Sequence, residues 1–281
     1  MIFLTIATVI LVTSLVLGYL IIRNFSKPSE RHTSTLKDES IKLKEVSIPT
    51  ENNKKLFGWW IEAKTKAPTI ILMHGWDRNI SRLIPYIKNL HGQGFNLLAF
   101  DSRHHGNSDS DDFSSMVKFA QDISASINFI EKKPAVEKDN VFIIGLSIGG
   151  AASIYAAAAD YRIKKIVTIG TPSNPAQVMT MHMRKKRIPQ PIIWAAFKIM
   201  EFRIGKRFTQ LASANNVSKT NAQILLIHGT NDKVVPFSQA KIIIDAANKD
   251  QIKLWAIDGK GHSNCHYEHG FWDNIIEFLR Q

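Results

Sequence analysis

Hydrophobic positions fall into short blocks separated by polar, turn-forming stretches, and the blocks change period along the chain. Between 41 and 63 apolar residues alternate with polar ones: Ile41, Leu43, Val46 and Ile48, then Leu56, Phe57, Trp59 and Ile61 across the turn-like Glu51-Asn52-Asn53. Alternation broken by such a turn predicts a hairpin at a sheet edge. Beyond it come continuous apolar runs at Thr69 to Met73, Asn96 to Phe100, Val141 to Leu146, Lys165 to Ile169, Gln223 to Ile227 and Lys253 to Ile257. Helical periodicity separates them, at roughly Ser81 to Gly92, Ser114 to Glu131, Gly149 to Ala159 and Ser238 to Ala247, with a last helix at Glu268 to Leu279. Runs apolar on both faces, alternating with helices, predict βαβ units, a mostly parallel sheet and helices on both faces.

Two stretches depart from this rhythm. Ile2 to Ile22 carries no charge, with only Thr, Ser and one Tyr as polar side chains. A helix rising about 1.5 Å per residue over that length would span roughly 30 Å of hydrocarbon. Nothing basic precedes the run and no small-x-small exit ends it, so an uncleaved transmembrane anchor is expected over 1–22 rather than a signal peptide. Arg23, Lys27, Arg31 and Lys37 follow the run, which places the body of a single-pass protein on the cytoplasmic side. Residues 23–40 are polar and charged and read as a linker, leaving 41–281 as one domain. The second departure is a connection of about fifty residues between Ile169 and Gln223, long enough to be a functional insertion. It collects Met179, Met181, Met183, Trp194, Phe197, Met200, Phe202 and Phe208, and predicts a helical cap over about 173–218.

Charge adds a partner class. The formal net charge is +12, and residues 171–210 hold eight Lys or Arg against the single acid Glu201, densest at Arg184-Lys185-Lys186-Arg187. Next to an anchor, this patch is expected to meet anionic lipid. Nucleic acid is not favoured, because no aromatic-interleaved basic groove accompanies it. The single cysteine, Cys265, excludes an intrachain disulfide.

The chemistry centres on Val141 to Gly150, an apolar strand running through Gly145-Leu146-Ser147-Ile148-Gly149 into an Ala-rich helix. Glycines flank a serine on a sharp strand-to-helix turn, where helix N–H groups face a developing oxyanion. A serine needs a base, and the base needs an orienting acid. Asp232 follows the strand at 223–227 in Gly229-Thr230-Asn231-Asp232, and His262 follows the last strand in Gly261-His262. Ser147, Asp232 and His262 all fall at carboxyl ends of strands, in the order Ser, Asp, His. Asp101 and Arg103 read as a buried structural pair, Asp258 as a solvated strand-end residue, His104 and His105 as surface-loop positions, and Cys265 as a packed thiol. His262, His266 and His269 with Cys265 lack a matching second ligand group, so no metal is expected there.

With His74-Gly75-Trp76 after the third strand and Asp101-Ser102-Arg103-His104-His105-Gly106-Asn107-Ser108, these segments make the chain similar to the serine α/β-hydrolases from about Ile41 onward. The resemblance implies the α/β-hydrolase fold, an eight-stranded mostly parallel sheet with a helical cap, and no cofactor. It implies Ser147 as nucleophile, His262 as base then acid, Asp232 as its orienter, and backbone N–H groups of Trp76 and Ile148 as oxyanion hole. His74-Gly75-Trp76-Asp77 departs from the His-Gly-Gly-Gly of some lipases, and the single-glycine form is shared with thioesterases, amidases and peptidases. The expected activity is hydrolysis of a small-molecule or lipid carboxylic ester through an acyl-enzyme. An aminopeptidase or amidase is the alternative, and a non-catalytic binding protein the last.

Overall fold

A computed structural model of the protein describes residues 2–26, 28–29, 31–32 and 36–281, with side chains for all of these except 2–7, 9, 10, 24 and 25. Eight strands form one sheet: β1 (Leu43–Thr50), β2 (Lys54–Ile61), β3 (Ala67–Met73), β4 (Asn96–Phe100), β5 (Val136–Leu146), β6 (Ile163–Ile169), β7 (Gln223–Gly229) and β8 (Ile252–Ile257), in the order β1-β2-β4-β3-β5-β6-β7-β8. The β1–β2 hairpin and the β2–β4 pair are antiparallel, and every other neighbour is parallel. This is the α/β-hydrolase fold.

The helices are α1 (Ile2–Phe25), α2 (Ile84–Leu90), α3 (Met116–Ile130), α4 (Ile148–Ala157), α5 (Pro175–Lys185), α6 (Gln190–Ile204), α7 (Phe208–Leu211), α8 (Ser238–Ala246) and α9 (Phe271–Arg280). The sheet is buried on both faces, which is why its central strands are mostly apolar over their buried stretches. Ile71, Met73 and Ile143 join the core under α3, α4 and α8, whereas Ile70, Leu72 and Ile144 join the one under α2 and α9.

The strand order reverses at β3, which lies between β4 and β5. Such a reversal opens a crevice beyond the carboxyl ends, because the connections leave toward opposite faces. Here the crevice brings His74-Gly75-Trp76 from the end of β3 beside Ser147 from the end of β5, with Met73 paired to Gly145.

The apolar run near the start forms α1, 24 residues long. The anchor expected there rests in part on side chains outside the described set, and among the described residues no helix is long and apolar enough to cross a membrane. What α1 does show is a seam of Ser14, Gly18 and Ile22, buried at a four-residue spacing that puts them on one helix face. This seam lies on α6, where a Cβ on Gly18 would stand 2.9 Å from the Ala196 nitrogen. The linker residues that are described also touch the body. Ser29 donates to His104 O at 3.0 Å, and His32 Nε2 lies 2.8 Å from Asp101 Oδ2.

One ionic cluster pins the loop after β4. Asp122 on α3 accepts from Arg103 Nε at 2.6 Å, the Arg103 N–H at 2.8 Å, Ser102 Oγ at 2.5 Å and Thr50 Oγ1 at 2.9 Å. Removing one partner of a buried pair strands the other charge away from water. Asp122→Ala should therefore cost about 3–5 kcal/mol in urea unfolding. A loss under ~1 kcal/mol would show that the cluster does not hold the loop.

Candidate active site

Ser147 has φ 54° and ψ −120°, outside the conformations a serine ordinarily adopts. Its backbone is tied on both sides. The Ser147 N–H donates to Ile169 O on β6 at 2.8 Å, and the Ser147 carbonyl accepts from the Gly150 N–H at 3.0 Å and Thr171 Oγ1 at 3.2 Å. Glycine at 149 lets the turn close, since a Cβ there would lie 2.5 Å from His74 O. The hydroxyl-bearing residue is half-buried at the floor of a cavity of about 460 Å³, which His262 also lines.

His262 Nδ1 donates to Asp232 Oδ2 at 2.7 Å, which leaves Nε2 as the proton acceptor. Asp232 is buried, and its Oδ1 accepts from the Val234 and Val235 N–H groups at 2.8 and 2.9 Å. Burial alone would raise this carboxyl. Hydrogen bonds from His228 and His262, the His262 charge and the Val235 N–H outweigh it and hold Asp232 well below the usual carboxylate range. Asp232 is thus ionised wherever the histidine can act. Gly170 completes the junction at φ 64°, where a Cβ would stand 2.9 Å from His262 Nδ1. Among the described residues no hydrogen bond joins Ser147 Oγ to His262, a link that commonly tightens only with substrate bound.

Ile148 is the first residue of α4, so its N–H has no intrahelical partner. The Trp76 N–H likewise makes no bond within the described residues. Both residues line the cavity. Gly75 brings the two loops together, with its Cβ direction 3.4 Å from Ser147 Cβ. His74 fixes the Trp76 loop from beneath: Nδ1 donates to Gly75 O at 2.7 Å and Nε2 accepts from the Ser102 N–H at 3.0 Å. The Trp76 ring stacks on Phe119 with centroids 6.4 Å apart.

The cap supplies much of the remaining wall. Met179 and His182 on α5, Met200, Arg203 and Ile204 on α6, and Phe208 on α7 line the cavity. Trp194 and Phe202 point outward instead, 50% and 88% exposed, as do Arg184 to Arg187. His182 Nε2 donates to Val234 O at 3.0 Å, joining the cap to the Asp232 loop.

Several neighbouring residues sit differently from the sequence expectation. Asp101 and Arg103 are both buried but do not pair: Asp101 holds the Ile80 and Asn107 N–H groups and faces His32, whereas Arg103 turns to Asp122 and Asp111. His104 and His105 are buried rather than on the surface, at 3% and 2% exposure, because their loop folds under Trp76 and Ser26. Cys265, by contrast, is buried as the packed thiol the sequence suggested, and desolvation pushes it up to about 11. His228 had no role in the motifs, yet it is fully buried with Nε2 3.5 Å from Asp232 Oδ2 and donating to Val235 O at 2.8 Å. Its only sequence signal is a histidine inside an apolar strand.

The chain is similar to several known proteins. Residues 64–197 match the family described as serine aminopeptidase, S33. That stretch holds Trp76 and Ser147 and stops before Asp232 and His262. Thiohydrolase apmlB of Arthrinium phaeospermum is 29% identical over 127 residues, 44% of this chain and 41% of that one. The uncharacterized protein YfhR of Escherichia coli K12 is 24% identical over 243 residues, 83% of this chain and 79% of its own. In structure, the esterase Pf2001 of Pyrococcus furiosus superimposes with a TM-score of 0.73 at 23% identity, over 91% of this chain and 98% of that one. Together these likenesses show the α/β-hydrolase fold, with the family match spanning residues 64–197 of the chain.

Burial also sets a pH dependence. Desolvation and the neighbouring His74 push His105 down to about 4 from 6.5. The unfolded chain therefore takes up this proton first. The contribution is fully present above pH 6.5 and is lost as pH falls toward 4. The urea midpoint should fall across that window, and His105→Asn should flatten the slope. A midpoint independent of pH there in the unsubstituted chain would contradict a buried neutral imidazole.

Proposed function

We propose that the protein hydrolyses carboxylic esters with apolar acyl chains, through a Ser147-His262-Asp232 triad and an acyl-enzyme, while attached to a membrane surface. The observation that carries this is the lining of the cavity over Ser147. It is mostly apolar, its polar groups include Arg78, Arg82 and Arg203, and among the described residues no Asp or Glu contributes to it. A cavity of about 460 Å³ lies within the ~300–1,000 Å³ typical of small-molecule sites.

His262 Nε2 takes the proton from Ser147 Oγ as that oxygen bonds to the ester carbonyl carbon. The carbonyl oxygen becomes an oxyanion that accepts from the Ile148 and Trp76 N–H groups. Each such donor is worth about 3 kcal/mol when it acts on the transition state alone. Collapse expels the alcohol, which receives the proton from His262 and leaves Ser147 acylated. Water then repeats the sequence, giving up a proton to His262 and releasing the carboxylic acid. Arginines in the wall attract anionic substrate groups and stabilise negative charge that develops in the reaction.

An aminopeptidase would hold a substrate ammonium, and among the described residues the wall offers no carboxylate for it. Glu201, the one acid on the cap helices, is engaged by Lys198 Nζ at 2.9 Å and the Phe208 N–H at 3.0 Å. Membrane attachment is supported by the exposed apolar side chains of α1, including Leu11, Val12, Val16 and Tyr19, and by the exposed Trp194 and Phe202 of α6. The basic run 184–187 on the same cap suits anionic headgroups, and the basic residues after α1 favour a cytoplasmic body.

In detergent, the full chain should turn over p-nitrophenyl esters from acetyl to palmitoyl, with Ser147→Ala and His262→Ala each lowering kcat/KM at least about a thousandfold. Activity surviving either change would refute the triad, and turnover confined to aminoacyl amides would favour the peptidase. Replacing Arg184, Lys185, Lys186 and Arg187 together by Gln should weaken binding to phosphatidylserine vesicles at least about tenfold in low salt. Unchanged binding would remove the cap from the membrane contact.

A further inference from the structure

Ile22 of α1 and Ser26, just past the helix end, line the cavity above Ser147. Their position is enforced. Ile22 is 3% exposed and packs with Met183, Ile193 and Ala196 of the cap. Ser26 Oγ accepts from Arg203 at 3.1 Å and donates to Ile22 O at 3.0 Å, while the Ser26 carbonyl accepts from His104 Nε2 at 2.9 Å. Arg203 also lies 4.5 Å from the centre of the Phe113 ring, and both of those residues line the same cavity. One turn of helix earlier, Gly18 brings the α1 backbone against α6 so closely that any side chain there would separate the two helices.

We propose that α1 is a wall of the substrate cavity, and that Ile22 sets how long an acyl chain can lie against Ser147. This rests on the ester-hydrolase reading and adds to it a specificity-determining residue outside the catalytic domain proper. A simple tether has no reason to be seated in the cavity lining. With the exposed face of α1 carrying Leu11, Val12, Leu15 and Val16, the same helix presents apolar residues outward and substrate contacts inward. An apolar chain gains affinity with each methylene it buries, by roughly fourfold per methylene. A bulkier residue at 22 therefore penalises long chains more than short ones, and a smaller one does the reverse.

The test uses the full-length chain in detergent with two reagents, ethyl and dodecyl fluorophosphonate. In each, Ser147 Oγ bonds to phosphorus and fluoride leaves, so the rate reports access to the serine without requiring ester turnover. The readout is the ratio of dodecyl to ethyl labelling rates. Ile22→Trp should lower that ratio at least tenfold, and Ile22→Ala should raise or preserve it. Gly18→Leu, which displaces α1 from α6, should change it as well. A ratio equal to that of the unsubstituted chain in all three variants would overturn the proposal while leaving the hydrolase reading intact. Failure of both reagents to label Ser147 in the unsubstituted chain would remove the hydrolase reading itself, and this one with it.

Discussion

A serine held at φ 54° and ψ −120° is the constraint on which the site depends. Such a backbone costs on the order of 1–3 kcal/mol and persists only where its surroundings over-determine it. Here they do. The residue is bonded through its N–H to β6, through its carbonyl to Gly150 and Thr171, and its turn passes so near His74 that position 149 has no room for a side chain. The strain keeps the hydroxyl proud of the sheet edge and aims the first N–H of α4 past it. It also explains the place of the site, because only a strand with parallel neighbours on both sides can supply His74-Gly75-Trp76 from one flank and Gly170 from the other.

Electrostatics follow from that placement. Asp232 sits beneath His262, short of solvent but surrounded by donors, so its charge is retained and the histidine tautomer is set. Above the serine the balance reverses: arginines and apolar groups form the wall, and no carboxylate of the described residues lines it. A negative base below and a positive, greasy vestibule above suit a neutral acyl group that becomes anionic on reaction. The cap and α1 share the work of enclosure, with Gly18 against Ala195 and Ala196 allowing two helices to meet at backbone distance.

Much of this was legible in the sequence, for identifiable reasons. Strands buried on both faces leave unbroken apolar runs, so six were visible. The edge hairpin alternates, so it was visible too. Ser147, Asp232 and His262 stood out because each follows such a run, and the structure brings Asp232 and His262 into contact and Ser147 and His262 into one cavity. Long-range pairing was not legible. That Arg103 meets Asp122 rather than Asp101, or that His104 and His105 are covered, depends on how a loop lies on α3 and on the linker, which local periodicity does not encode. His228 escaped notice because a buried polar group inside an apolar strand carries no motif. The role of Ile22 escaped it because one isoleucine in a wholly apolar helix is indistinguishable from its neighbours until α6 is docked beside it.

The central claim is that Ser147 becomes covalently acylated in turnover. Rapid mixing of the full chain with p-nitrophenyl butyrate, acid quench and peptide mapping by mass spectrometry tests it directly. The account predicts a butyryl group on the peptide that carries Ser147, present within the first turnover and lost as hydrolysis proceeds. Turnover without an adduct at Ser147, or with one on another residue, would contradict it.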